Sequence, residues 1–514
     1  MKTRFTIHTL LMTALCLGHV QAQRYCSEVF PSVCVTSNIT YSTNISILTG
    51  APAAEDLRLD IYEPCGDTET QRPLLIYIHT GSFLPILVNG AATGSRSDSA
   101  TVEICKRYAR RGYVVASMDY RLGWNPISTD QDTRTGTLLL AVYRAIQDAK
   151  ACVRFFKKDY ATAGNTYKID SGRIALVGQG TGGYIAMAYA TLDKTSEIQL
   201  LKFVSGTTLQ PYVNQTLWGD FNGLNGTAGY SMDNHPGYSD RIRMVVNMGG
   251  AMGDSSWLEP GDVPMVAFHP VNDPFAPYVS GIVTVPGYGY PVVDVVGSYK
   301  VIQKSDQFGN QNIFNGIQPN CDPYTTRANQ VNDGLEGLFP FVMPDPGPPY
   351  FGQAGPWEWV NYPALLALGT AMGMTQGYID TVYGGAMLTN PNIGDKAHAM
   401  AYIDTVMGYT SPRLSLAMGL GGCSPCTTGI PTLPNGVSIS LYPNPVGDVA
   451  SVDLKGNVSI RNVEILDVTG RAINASNAIN GSSVRINCAS LSSGVYVVKL
   501  ITDRGIAVQR FVKE

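Results

Sequence analysis

Residues 173 to 192, RIALVGQGTGGYIAMAYATL, join an apolar β-type run to a run of small helical residues through Gly178-Gln179-Gly180-Thr181-Gly182. This is the outline of a nucleophile elbow, G-x-S-x-G, in which a strained strand-to-helix turn presents an attacking hydroxyl at its apex. Here the apex of the pattern is glycine. The turn is so tight that the residues two before and two after the apex must be small. With Gly180 at the apex those residues are Gly178 and Gly182; with Thr181 there they become Gln179 and Gly183, and Gln179 crowds the turn. The spacing therefore puts Gly180 at the apex, with no side chain to attack with, and glycine tolerates the strained dihedrals of that position. Thr181 falls first in the helix. Its hydroxyl caps the helix start, or acts as a nucleophile if the loop shifts.

The elements that must hold such a turn are visible on both sides of it. From about 70 to 275, apolar β-rich runs alternate with helical patterns, which predicts βαβ units and a mostly parallel sheet. Strands are expected at 74–80, 113–122, 173–179, 241–250 and 263–270, and helices at 99–112 and 138–160, where apolar residues recur at three- and four-residue spacing. From about 279 to 394 the pattern dissolves into Gly, Pro, Asn and aromatic residues and reads as a long irregular insertion or lid. A helix returns over 395–409, with Asp395 as its N-cap. Residues 421–436 read as a linker, and 437–514, with short alternating runs between Gly and Asn turns, as a small β-sandwich.

The chain has 514 residues, 44% hydrophobic and 15% charged, with a net charge of -4. That supports more than one domain and a large core. It argues against a nucleic-acid partner, since no basic stripe is present to neutralise phosphates. Residues 1–22 read as a secretory signal: Lys2 and Arg4, then an apolar run, then Val20-Gln21-Ala22 before the cut. No later run is long enough to span a bilayer, so the mature chain is expected to be soluble. Ten cysteines include Cys16 in the signal, and the close pairs Cys26/Cys34 and Cys423/Cys426 are the candidate disulfides of an exported protein. No metal or other cofactor is expected: the six histidines are scattered, and Cys423-x-x-Cys426 lacks a second ligand pair.

The tail carries LYPNPVGD (441–448), VEILDVTGR (463–471), LSSGVYVVKLITD (491–503) and a terminal RFVKE (510–514). On these four stretches it resembles the C-terminal sorting domain of proteins exported by the type IX secretion system of Bacteroidota. The resemblance implies type IX machinery as a partner and a place in the medium or on the outer surface of the cell.

The body, over residues 70 to 280, resembles the α/β-hydrolase fold in its carboxylesterase-like branch. IYIHTGSFLP (76–85) stands where that branch carries H-G-G-G, with Thr80 and Ser82 interrupting the glycines, and ASMDYRLGW (116–124) matches a D-Y-R-L stretch. The resemblance implies an oxyanion loop at Thr80 and Gly81, completed by the Thr181 backbone N–H. FHPVNDPFAPY (268–278) resembles the loop after the seventh strand and places Asp273 at the acid position; in chain order only His398 follows as a base. His79 and His269 read as structural, and His235 as a turn residue. Trp357 and Trp359, with Tyr350, Phe351 and Tyr362, read either as a platform for sugar rings or aromatic esters or as a satellite core. Two functions stay open: a secreted ester hydrolase acting on small esters or acylated polysaccharide, and a binding or scaffolding protein that uses a vestigial cleft.

Overall fold

The computed structural model describes residues 24–350, 352–423, 438–455, 459–467, 472–502 and 505–514. The signal at 1–22, Cys426 and nearly all of the linker lie outside the described residues. The chain divides into two compact units, the larger running to Ser424 and the smaller formed mainly by Pro425–Glu514.

The larger unit is built on eight strands: β1 (Val33–Ser46), β2 (Ala53–Pro64), β3 (Arg72–Ile78), β4 (Val114–Met118), β5 (Ile169–Gln179), β6 (Met244–Met248), β7 (Met265–Pro270) and, after an excursion, β10 (Leu338–Phe341). Their order across the sheet is β1-β2-β4-β3-β5-β6-β7-β10. The β1/β2 and β2/β4 pairs are antiparallel, and every later pair is parallel. Every residue of β3, β4, β6 and β7 is buried, which is why each reads as a mostly apolar run rather than an alternation. Helices α1 (Ser99–Arg110), α2 (Gln131–Thr162) and α3 (Thr181–Thr191) form the crossovers. Together these are the strand order and crossovers of the α/β-hydrolase fold.

Three parts differ from expectation. The hairpin β1–β2 precedes the alternating region and carries no helix, so βαβ patterning did not reveal it. The stretch 279–394 is not irregular throughout. It holds the hairpin β8 (Ser280–Thr284)–β9 (Pro291–Val296), helices α4 (Ser298–Gln307) and α5 (Pro323–Asn329), edge strand β10, and helices α6 (Tyr362–Ala371) and α7 (Gln376–Thr389). Side-chain caps from Asp322, Asn361 and Thr375 start three of these helices, where glycine and proline obscure the helical period. The last helix, α8 (Lys396–Ala417), begins at the Asp395 cap as expected but runs eight residues past 409, through Pro412.

The disulfides also depart from the nearest-neighbour pairing. Cys26 bonds Cys423, across 397 positions, and Cys34 of β1 bonds Cys65, just past the end of β2. The first bond ties the start of the unit to its end; closing a loop that long removes on the order of 5 kcal/mol of freedom from the unfolded chain. Cys105, Cys152 and Cys488 are free and buried.

The smaller unit has a three-stranded and a four-stranded antiparallel sheet. Val452, Val463, Ile465, Val498, Leu500 and Phe511 meet in one buried core between them. Of the short alternating runs expected in this part, SVDL and VYVVKLI lie wholly within strands Val449–Lys455 and Gly494–Thr502.

Candidate active site

The carboxyl ends of the central strands come level at one edge of the sheet. Ile78 pairs with Met118 on one side and Gly178 on the other, and Gly178 pairs with Asn247. At that edge β5 ends on Gln179, the chain turns at Gly180 with φ 54° and ψ −116°, and α3 starts at Thr181. The Gly180 N–H donates to Met248 O at 2.7 Å, and the Gly183 N–H donates to Gly180 O at 2.9 Å, which fixes the turn from both sides. The apex is therefore Gly180, as the glycine spacing requires. A Cβ on Gly178 would stand 2.1 Å from Gly182 O, and one on Gly182 would stand 2.0 Å from Ile78 O. Both contacts are with backbone, so neither position accepts a larger residue.

The space that a nucleophile would need at the apex is taken. A Cβ on Gly180 would lie 2.2 Å from Thr80 Oγ1 and 3.0 Å from Thr80 Cβ. Thr80 interrupts the glycine loop in the sequence, and the missing side chain at 180 is what makes room for it. The two departures from the esterase pattern are thus one complementary pair.

Tyr120 organises the rest of this edge. Its hydroxyl lies 3.1 Å from His79 O, 3.2 Å from Thr80 O and 3.1 Å from Thr181 Oγ1. With one proton to give, it donates to the carbonyl pair and accepts from Thr181. Burial raises the Tyr120 phenol far above its ordinary range, so it is no base for that hydroxyl at neutral pH. Gly81, Ser82 and Phe83 follow with φ of 130°, 55° and 55°, a left-handed run that carries the loop beneath Trp124, whose Nε1 donates to Ser82 O at 2.7 Å.

Asp273 lies in the loop after β7. Its Oδ1 accepts from the N–H groups of Phe275 at 2.8 Å and Ala276 at 3.0 Å. Burial pushes this carboxyl up to about 7 despite those bonds. His398 sits in the first turn of α8, where Nε2 is 3.3 Å from Asn392 Nδ2 and the ring is 5.1 Å from that of Tyr402. Among the described residues no hydrogen bond or ion pair joins Asp273 to any histidine. His79 stacks on Tyr120 at 4.6 Å and donates to Thr80 O; His269 spans Ser298 Oγ and Ala276 O. Burial holds both imidazoles near 4 and hence neutral. His235 meets Tyr41 O at 2.6 Å. The structure keeps Gly180, Thr181 and Thr80 together and leaves His398 unconnected to Asp273.

The aromatic stretch supplies a group that the sequence reading passed over. Trp357 is only 1% exposed and rests against Phe341, and Trp359 lies under Lys396 Nζ at 5.7 Å. Between the two tryptophans, Glu358 reaches the elbow. It accepts from Gln179 Nε2 on one oxygen and from Thr93 Oγ1, at 3.3 Å, on the other. Gln179 is itself 1% exposed and holds its own oxygen against the Tyr77 hydroxyl, which leaves its amide N–H₂ to face Glu358. Burial pushes Glu358 up to about 8; the nearby acids Asp98 and Asp273 add to this, against the two hydrogen bonds. No motif marks a glutamate between two tryptophans, so sequence alone gave no signal for it. Among the described residues no group of three or more His, Cys, Asp or Glu is placed to hold a metal ion, and no helix is long and apolar enough to cross a membrane.

Comparison with known proteins agrees with both units. Residues 59–217 match the BD-FAE family, so this part of the chain carries an α/β esterase-like domain, and residues 440–514 match the secretion system C-terminal sorting domain. The BD-FAE match contains Thr80, Tyr120 and the elbow and stops before Asp273 and His398. No curated protein matched the chain. Among solved structures, the chain is similar to the apo form of Thermogutta terrifontis esterase 2, with 14% identity over 61% of this chain and 84% of that one and a TM-score of 0.30. It is also similar to the same esterase phosphorylated by paraoxon, with 17% identity over 48% and 74% of the two chains and a TM-score of 0.29. The sorting domain implies handling by the type IX machinery and secretion or export to the cell surface.

Proposed function

We propose that this is an exported α/β-hydrolase-fold protein whose ester-cleaving centre is vestigial, and that its cleft binds an ester or acylated glycan rather than cleaving it. The observation that carries the reading is the Gly180–Thr80 pair: the apex has no side chain, and a threonine stands where one would go. The Thr181 hydroxyl is engaged with Tyr120, and Asp273 has no histidine to orient. A triad needs a nucleophile, a base and a group that orients the base; here the first is missing and the other two are not joined. The signal-like start and the sorting tail support a place on the outside of the outer membrane.

Ester hydrolysis by Thr181 is the rival reading. The test is turnover of short p-nitrophenyl esters by the full chain and by Thr181→Ala. Both are expected to run at the buffer rate; turnover by the natural chain that disappears in Thr181→Ala would establish the rival.

A further inference from the structure

A groove that shares no residue with the elbow runs along the first turns of α2. It holds about 420 Å³, and small-molecule sites span roughly 300–1,000 Å³. One side is the helix surface at Thr133, Gly136, Thr137 and Leu140, and the other is the loop from Ser205 to Tyr212.

The loop is fixed in place by the helix. Asp132 Oδ2 accepts from Ser205 Oγ at 2.6 Å, and its Oδ1 accepts from the Gly206 N–H at 3.0 Å and the Tyr212 hydroxyl at 2.5 Å. The Ser205 and Tyr212 hydroxyls hold this carboxyl below the usual carboxylate range, so it stays ionised and keeps the loop tied at neutral pH. Ser205 Oγ in turn accepts from the Thr207 and Thr208 N–H groups at 3.2 Å and 2.9 Å, and Val204 pairs with Pro211 across the base of the loop. Gly136 completes the arrangement. Glycine weakens a helix interior, but here a Cβ would lie 2.6 Å from Tyr212 Cδ1 and 3.1 Å from Cε1. The missing side chain is what seats the aromatic ring against the helix.

The lining selects the ligand. It contains no Lys, Arg or His, and its one charge is the Asp132 carboxylate; Asp130 stands beside it, accepting from Thr133 Oγ1 at 2.6 Å. An anion is therefore repelled. The other polar groups are the hydroxyls of Thr133, Thr137 and Thr208 and the Gln210 amide. Among the described residues the Gln210 side chain has no hydrogen-bond partner, and Thr208 Oγ1 only accepts, from the Gln210 N–H at 3.4 Å. Both groups can donate and accept at once, as sugar hydroxyls do. The Tyr212 ring adds an apolar surface beside them, which suits the C–H face of a sugar ring.

We propose that this groove is a binding site for a neutral glycan, with Gln210 and Thr208 bonded to sugar hydroxyls and the Tyr212 ring packed on a sugar face. The site is distinct from the elbow, so it stands whether the elbow cleft binds or cleaves.

The experiment is affinity electrophoresis of the full chain through native gels containing barley β-glucan, konjac glucomannan or wheat arabinoxylan, with polygalacturonate as the anionic comparison. Retardation by at least one neutral polysaccharide is expected, and none by polygalacturonate. Gln210→Ala and Thr208→Ala change exposed side chains, and each is expected to weaken the dissociation constant read from the gels about three- to tenfold. The proposal is overturned if none of the neutral polysaccharides retards the natural chain, or if polygalacturonate retards it as strongly as they do. It is also overturned if both variants are retarded like the natural chain, since the binding surface then lies elsewhere. The first two outcomes need only the natural chain. None of the readouts depends on ester turnover, so this site and the vestigial-site reading fail separately.

Discussion

Gly180→Ser is expected to lower stability by about 2–4 kcal/mol and to bring no ester hydrolysis. Two penalties add. The apex has φ 54° and ψ −116°, a conformation that side chains adopt at a cost of about 1–3 kcal/mol. The new Cβ also meets Thr80 Oγ1 at 2.2 Å, so Thr80 must rotate or the loop must move. The second penalty belongs to the pair, and a double-mutant cycle isolates it. Thr80→Gly in the Gly180→Ser background is expected to recover about 1–2 kcal/mol relative to the sum of the single effects. Strict additivity in denaturant midpoints would mean that Thr80 is not what fills the apex. The double variant is still expected to lack turnover, since Asp273 and His398 are held by other partners.

Gly182→Ala carries a large expected loss for a single methyl group. Its Cβ would stand 2.0 Å from Ile78 O, 2.6 Å from the Ile78 carbonyl carbon and 2.9 Å from His79 O. These are backbone atoms of the last residue of the central strand β3 and of the residue after it, and they cannot turn aside as a side chain can. A loss of about 3 kcal/mol or more is expected, enough to leave little soluble chain. Gly164→Ala makes a useful comparison. It has φ 78° but nothing within 4 Å, so only the backbone term remains, on the order of 1 kcal/mol. If urea midpoints place Gly182→Ala level with Gly164→Ala, the close packing of elbow on strand is wrong.

How far the sequence revealed this site depends on how local each feature is. The elbow was legible because its constraint lies within five residues: Gly178 and Gly182 must be small for one turn to close, and that requirement is written in the spacing. The parallel strands were legible as apolar runs, because burial on both faces leaves no alternation. What could not be read is what distant segments decide together. Thr80 and Gly180 each look like isolated departures, and only the fold brings one side chain into the other's space. Cys26 has Cys34 as its sequence neighbour but Cys423 as its partner, because the chain start returns to the end of α8. Glu358 looks like a surface charge between two aromatic residues; its hydrogen bond with Gln179 follows from the path of residues 352–361, which no local period predicts. Strand β10, LFPF, is short, contains Pro340 and sits at the sheet edge, where a missing N–H is tolerated.

The central claim is that no hydroxyl at this elbow is activated to attack an acyl group. The most direct test is the intact mass of the full chain after incubation with a fluorophosphonate, which bonds covalently to an activated hydroxyl and leaves idle ones alone. The expected result is an unmodified mass. A stoichiometric adduct mapping to Thr181 or Thr80, abolished when that threonine is replaced by valine, would contradict the account.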